Sequence, residues 1–475
     1  MMLVIFIICA IAVSLSIFFV KNNTFTKIFS ALFLILLLAL NGYAFIHINE
    51  FSSAYFKFDS LGIILMTVLS ILSLATYYHS YLYLKRHNFT TKQEAGYYAS
   101  LIMLITAMTS AYFSENVAVL WVSIETTTLF VSILIFFERT KEALEAAWKY
   151  LFISSVGVAL AFIGILFLSI TASSNGITDL SISHLVETAN LMNPIWLKMT
   201  FLLVLTGFSA KMGLFPLHTV AVDAHTVAPP PISAFISTTL MNVGFIGIFR
   251  IFTIVAQTPI LHWVQNVLLI AGVLSVFMSA IQLLKIRHYK RMFAFSSLEH
   301  MGIVALGLGI GGIGYYAAIL HIVFHSFVKA GLFYQIGQVH RYFKSYWIND
   351  AAGYFKLNPI GGLALILGFI SILAIPPSGM FVSEFLIFKA MFLAKHYYIG
   401  IFILLLLTLI IYSFSKNIFH LLYGKPKVKL TIEKFKPNNY ETISQFVLFG
   451  LAIYLGINPP VFFTNLINSA IAILN

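Results

Sequence analysis

The chain repeats one pattern: a run of about twenty apolar residues, then a short polar or basic break. A helix rises about 1.5 Å per residue, so roughly 20 such residues cross the hydrocarbon core of a bilayer. About fourteen windows meet that condition, at 2–20, 28–47, 59–84, 97–114, 116–137, 146–170, 195–217, 229–256, 262–284, 292–311, 314–339, 359–391, 397–423 and 442–470. The last is interrupted by Asn458, Pro459 and Pro460, so it reads as a shorter span followed by an interfacial tail. The pattern predicts an all-α polytopic membrane protein.

Two windows contain helix breakers beside a charge. Gly207, Gly213 and Pro216 surround Lys211 in the seventh, and Pro376, Pro377, Ser378 and Gly379 precede Glu384 in the twelfth. Interrupted spans at matching positions of two halves point to inverted repeats with a site between them. The offset of five spans predicts helices one to three over 1–96, a first five-helix repeat over 97–256 and a second over 257–423. A basic loop and a fourteenth helix follow over 424–475.

Composition narrows the class. The residues are 60% hydrophobic and only 9% charged, with a mean hydropathy of +0.95, whereas soluble domains are about 25% charged. The apolar start lacks a basic leader and a small-residue cleavage site, so it reads as the first span rather than a signal peptide. Cys9 is the one cysteine, and iron–sulfur or nickel–iron centres need several thiolates. No cofactor is therefore expected in this chain, and any redox chemistry belongs to partner subunits.

The net charge of +12 would suggest nucleic acid until the basic residues are placed. They gather in loops after odd-numbered spans, as at Lys85, Arg86 and Lys92, at Arg287, Lys290 and Arg291, and at Lys427, Lys429, Lys434 and Lys436. After even-numbered spans stand only Lys57, Lys198, Arg250, Lys389 and Lys395, while Lys211 and Lys329 fall inside spans. The positive-inside rule makes the odd loops cytoplasmic and puts both termini on the outer face of a cell inner membrane. The expected surroundings are lipid and other membrane subunits, with no nucleic acid.

The informative chemistry is the set of ionisable groups within apolar windows. A charge at the bilayer centre costs roughly 2.5–3.5 kcal/mol even on the lenient insertion scale, so such groups face a bundle interior or a wet cavity. Glu125 lies one turn after Trp121, and Lys211 is its candidate partner; a purely structural ion pair is the alternative. The run HIVFHSFVKAGLF places His321, His325 and Lys329 at i, i+4 and i+8, a stripe of about 12 Å on one helix face. Imidazoles both accept and donate near neutral pH, and a lysine amine can hand its proton on. Two histidines with no adjacent carboxylate argue against a metal site. Histidines satisfied by neighbouring hydroxyls are the competing reading. Glu299 and His300, in SSLEHMG, are either pathway groups or a shallow polar mouth. His218, Asp223 and His225, where span seven leaves the membrane, fit either a proton entrance or a capped, solvated loop. The charges from Glu138 to Lys149 read as a solvated turn and helix start.

Three stretches carry a resemblance: GFSAKMGLFPLHTVAVDAHTVAPPPISAFIS, KRMFAFSSLEHMG and HIVFHSFVKAGLF. They resemble the proton-translocating, antiporter-like subunits shared by respiratory complex I, group 4 membrane-bound nickel–iron hydrogenases and Mrp-type sodium/proton antiporters, over residues of about 59–423. ETTTL and RTKEALEAAWKYL make the chain most similar to the hydrogenase-4 and formate hydrogenlyase type. The resemblance implies a fourteen-helix bundle with two inverted five-helix repeats and broken helices seven and twelve. It implies a coupled pair at Glu125 and Lys211, relay groups at His321, His325 and Lys329, and an exit group at Glu384. Asn242 stands where many members carry a connecting lysine, and an amide cannot take up and release a proton near neutral pH.

The reading is a proton-translocating, non-redox subunit of a complex I-like or hydrogenase-like oxidoreductase. Iron–sulfur clusters, nickel–iron or flavin are expected only in a peripheral redox arm. The alternatives are an Mrp-like cation/proton module, with Na⁺ at Glu125 or Asp223, the membrane half of a proton-driven bicarbonate-uptake pair, and a non-conducting scaffold.

Overall fold

The computed structural model describes residues 1–87, 89–425 and 439–474. In chain order the helices are α1 (Met2–Val20), α2 (Asn23–Ile46), α3 (Ser60–His87), α4 (Thr91–Tyr112), α5 (Val117–Ile135), α6 (Lys141–Ser173), α7 (Ile182–Thr188), α8 (Pro194–Met212), α9 (Thr219–Val227), α10 (Pro230–Phe235), α11 (Met241–Ala256), α12 (Leu261–Leu284), α13 (Tyr289–Ile310), α14 (Ile313–Phe343), α15 (Tyr354–Leu357), α16 (Pro359–Ile372), α17 (Gly379–Leu393), α18 (Tyr397–Tyr423), α19 (Asn439–Ile457) and α20 (Val461–Ile471). Between α2 and α3 a small antiparallel hairpin pairs β1 (Phe51–Ser53) with β2 (Phe56–Lys57). In lipid a helix satisfies its own backbone polar groups, which is why so apolar a chain folds almost wholly this way.

Among the described residues twelve helices are long and apolar enough to cross a membrane. The two other expected spans take different forms. One is α4, 22 residues long, whose first turns carry Thr91, Lys92, Gln93 and Glu94 and lower its apolarity. The other is α16 and α17, of 14 and 15 residues, separated at Leu373–Ser378. The seventh window is likewise divided. There α8 stops at Gly213 (φ 76°), a left-handed position where glycine carries no side-chain penalty, and α9 begins six residues later. Each gap contains a cis X–Pro bond, Phe215–Pro216 in one and Pro376–Pro377 in the other. The eighth window is not one regular helix, since a π turn at Ile236–Leu240 joins α10 to α11. At the end of the chain α19 and α20 flank the break at 458–460. Lys427, Lys429, Lys434 and Lys436 lie outside the described residues.

The chain divides into two compact units. The first is Met1–Pro229, Thr239–Asn266 and Asn465–Asn475, and the second is Pro230–Thr238 and Val267–Thr464. In the first, α6 lies on α8 through glycines. A Cβ at Gly207 would sit 2.3 Å from the Gly157 carbonyl oxygen, and one at Gly244 of α11 only 2.3 Å from the Met212 amide nitrogen. Small residues let membrane helices approach this closely and gain dispersion energy along their length. That approach buries the C-terminal turn of α8, which carries Lys211.

Arg250 departs from expectation. Placed by the charge pattern in a loop after the eighth span, it stands instead inside α11, buried. Its guanidinium donates to both Asp59 carboxylate oxygens, at 2.6 and 2.9 Å, and to the Tyr112 carbonyl at 3.2 Å. The bidentate pair answers the cost of a charge at that depth and ties α11 to the start of α3. The solvated helix start at α6 is as expected. Thr140 caps it by accepting from the Ala143 amide at 3.0 Å, and Glu142, Glu145 and Lys149 are exposed.

Candidate functional site

Each unit contains a buried lysine with its own polar company. In the first, Lys211 occupies the last turn of α8 and is 2% exposed. Helix C-termini present unpaired carbonyls and the negative end of the dipole, a setting that favours an ammonium. Its Nζ donates to the Tyr150 hydroxyl of α6 at 3.0 Å and lies 4.9 Å from the centroid of that ring. Glu125, on α5, is half-buried and accepts from Ser155 at 3.1 Å and Thr128 at 3.2 Å. Its charge acts on Lys211, but among the described residues no ion-pair contact joins the two. The ammonium is thus bound by a phenol, while the carboxylate, held by hydroxyls, acts on it without direct contact. Tyr150 and Ser155 belong to this site, and spacing along the chain gave no sign of either.

Asn242 is fully buried in the first turn of α11, directly after the π turn, a local irregularity frequent at functional sites. His218 and His225 are buried and Asp223 is half-buried, with His218 at the N-cap of α9 and the other two on that helix. His225 and Asp223 both have interaction partners, so the segment is a packed one and not a solvated loop.

In the second unit, α13 and α14 bring the remaining candidates together. His321, His325 and Lys329 are all fully buried on α14. All three reach residues of α13. Lys329 Nζ donates to the Phe293 carbonyl and the Ser296 hydroxyl. Glu299, 3% exposed, acts electrostatically on Lys329. His321 Nε2 lies 3.2 Å from His300 Nδ1, and the His325 ring centroid is 5.5 Å from that of His300. Glu299 and His300 stand ten and eleven residues into α13, about 15 Å from its start, which places them in the interior rather than at a shallow mouth.

Glu384, on α17 just after the break, completes the cluster. Its Oε1 is 3.7 Å from His300 Nδ1. His300, His321 and Glu384 each offer one ligand atom, all within 4.8 Å of one another. The absence of a carboxylate next to the histidines, which argued against a metal in the sequence, does not survive folding, because α17 supplies one. Ser383 is the residue that sequence reasoning missed here. Its hydroxyl donates to the Met380 carbonyl at 2.9 Å and meets His321 Nδ1 at 2.9 Å.

A nearly all-helical membrane chain with two interrupted helices and buried lysines has the features of an antiporter-like membrane subunit. The profile described as NADH:quinone oxidoreductase/Mrp antiporter, transmembrane, matches residues 114–411, and the chain belongs to that family. It is 33% identical over 347 residues to the hydrogenase-4 component F homolog of Methylacidiphilum infernorum, covering 71% of this chain and 73% of that one. It is 25% identical to hydrogenase-4 component B of Escherichia coli, over 72% of this chain and about half (52%) of that longer protein. In fold it is similar to a subunit in the structure of the membrane-bound sulfane sulfur reductase, an archaeal respiratory membrane complex, with a TM-score of 0.87, 22% identity and coverage of 99% and 97%.

Proposed function

We propose that this chain moves protons across a cell inner membrane as the non-redox subunit of a hydrogenase-like or complex I-like assembly. The observation that carries the reading is the pair of lysines, Lys211 and Lys329, each fully enclosed in its unit beside groups that exchange protons. Ionisable groups at membrane depth mark ion or proton pathways.

In the first unit, Lys211 is held by the Tyr150 hydroxyl, and Glu125 is held by Ser155 and Thr128. A displacement at a partner interface that changes the Glu125 to Lys211 separation changes how strongly Lys211 holds its proton. His218, Asp223 and His225 serve as the entrance. Asn242 takes no proton itself, so its part is to orient water by hydrogen bonding. In the second unit, Lys329 and Glu299 load the cluster, and the proton passes between His321 Nε2 and His300 Nδ1 to Glu384 and the outer face. The His325 ring lies beside that of His300, with centroids 5.5 Å apart. Hydrogen-bonding contact between imidazoles suits stepwise transfer. Iron–sulfur, nickel–iron or flavin groups belong to other subunits of the assembly, in its peripheral arm.

Purification of the native assembly in mild detergent tests this. The expected result is a redox arm bearing metal centres that co-purifies, with electron transfer in sealed vesicles driving proton movement. Sodium-dependent proton flux in vesicles holding only this chain would instead establish an Mrp-like antiporter, a reading that keeps the same residues but needs no redox partner.

A further inference from the structure

We propose that His300, His321 and Glu384 form a binding site for a divalent transition-metal ion of the zinc class. Two imidazole nitrogens and a carboxylate oxygen are the ligand set of open, three-ligand zinc sites, which keep a fourth position for water. Tetrahedral coordination at about 2.1 Å sets ligand atoms about 3.4 Å apart. Nδ1 of His300 lies 3.2 Å from Nε2 of His321 and 3.7 Å from Oε1 of Glu384. Two of the three spacings already match tetrahedral coordination, and all three ligand atoms lie within 4.8 Å of one another.

The protonation pattern around His321 supports the same assignment. The single Ser383 hydroxyl proton is committed to the Met380 carbonyl at 2.9 Å. The Ser383 oxygen therefore accepts from His321 Nδ1–H at 2.9 Å. That tautomer leaves a lone pair on Nε2, the atom that faces His300 and the carboxylate. A hydrogen bond of this kind from the distal nitrogen is the usual support for a metal-ligating histidine. Only one proton fits between the facing nitrogens, and a cation in its place uses both lone pairs. Entry is by way of Glu384: the histidines are fully buried, while the glutamate is 8% exposed.

The sequence stripe would have suggested His321 and His325 as the histidine pair, but the structure replaces His325 by His300. That substitution makes the inference specific. The site itself does not rest on the proton-translocating reading; only its consequence, that an occupied site stops proton exchange between His300 and His321, does.

Cobalt(II) titration of the purified full-length chain in detergent, followed by visible absorption and competed with zinc, tests the assignment without any transport readout. The expected result is one ion per chain with the ligand-field bands of tetrahedral cobalt. Glu384→Gln, close in size to the native residue, and His300→Ala should each weaken binding at least ~100-fold. Ser383→Ala should weaken it about tenfold, and His325→Ala should leave it unchanged. A folded wild-type chain without the tetrahedral spectrum would overturn the proposal. So would equal affinity in wild type and Glu384→Gln, or a loss in His325→Ala as large as that in His300→Ala.

Discussion

Lys211 and Lys329 are both enclosed lysines, but they are enclosed differently. Lys211 ends a helix: α8 stops two residues later at Gly213, and its ammonium meets a single phenol, Tyr150, with the nearby carboxylate held apart by Ser155 and Thr128. Lys329 lies midway along the 31 residues of α14, among a backbone carbonyl, a hydroxyl and, beyond them, imidazoles and two carboxylates. A lysine at a helix terminus beside a chain break can be moved by a small shift of that terminus. A lysine in the middle of a packed helix changes state only through its neighbours. Under the proposed function, the first unit would respond to displacement and the second would relay.

The largest expected effect falls on the relay. Lys329→Ala should lower proton flux in vesicles of the native assembly by at least ~100-fold, the scale of losing a positioned acid–base group. Flux that survived would remove Lys329 from the path and break the comparison. Tyr150→Phe keeps the ring under the ammonium and deletes only the hydroxyl. It should lower flux about tenfold, at a stability cost of roughly 1–3 kcal/mol for a buried donor left unpaired. An equal effect of Ser296→Ala and Tyr150→Phe on flux would show that the two lysines do not depend on different kinds of neighbour.

A packing change sharpens the same contrast. Gly244→Ala pushes a methyl against the backbone at Met212 and should destabilise the first unit by roughly 1–3 kcal/mol, read as a lower melting temperature in detergent. Gly96→Ala, where a Cβ meets nothing within 4 Å, should stay within about 0.5 kcal/mol.

The smallest effect concerns the start of α13, the helix that carries Glu299 and His300. His288 caps it by accepting from the Arg291 amide. Burial first, and then Lys290, Arg291 and His340, hold its imidazole down to about 3 from an ordinary 6.5. The unfolded chain binds the proton more readily, so this group's contribution is full above pH 6.5 and is lost as pH falls toward 3. His288→Asn keeps a capping side chain and should flatten that acid-side slope in thermal unfolding. A slope unchanged by the substitution would mean another group titrates there.

The local features of this molecule were legible in its sequence because they depend on nearby residues. Gly213 and Pro216, and Pro376 and Pro377, mark the helix breaks, and the spacing of His321, His325 and Lys329 puts them on one helix. What could not be read is which helix faces which. Tyr150 lies 61 residues from Lys211, Asp59 lies 191 from Arg250, and Glu384 reaches His300 only because α17 packs beside α13. No periodicity encodes such distances. The hydropathy pattern likewise located α4 and the eighth window but could not register a π turn, where one extra backbone residue changes the facing of all that follows.

The central claim is that Lys211 couples events in partner subunits to proton movement. It is tested most directly by counting protons moved per electron transferred in sealed vesicles holding the native assembly, with wild-type chain and with Lys211→Ala. Proton movement is expected in the wild type and none above leak in the variant, while electron transfer by the partner continues. Equal proton counts in the two would contradict it.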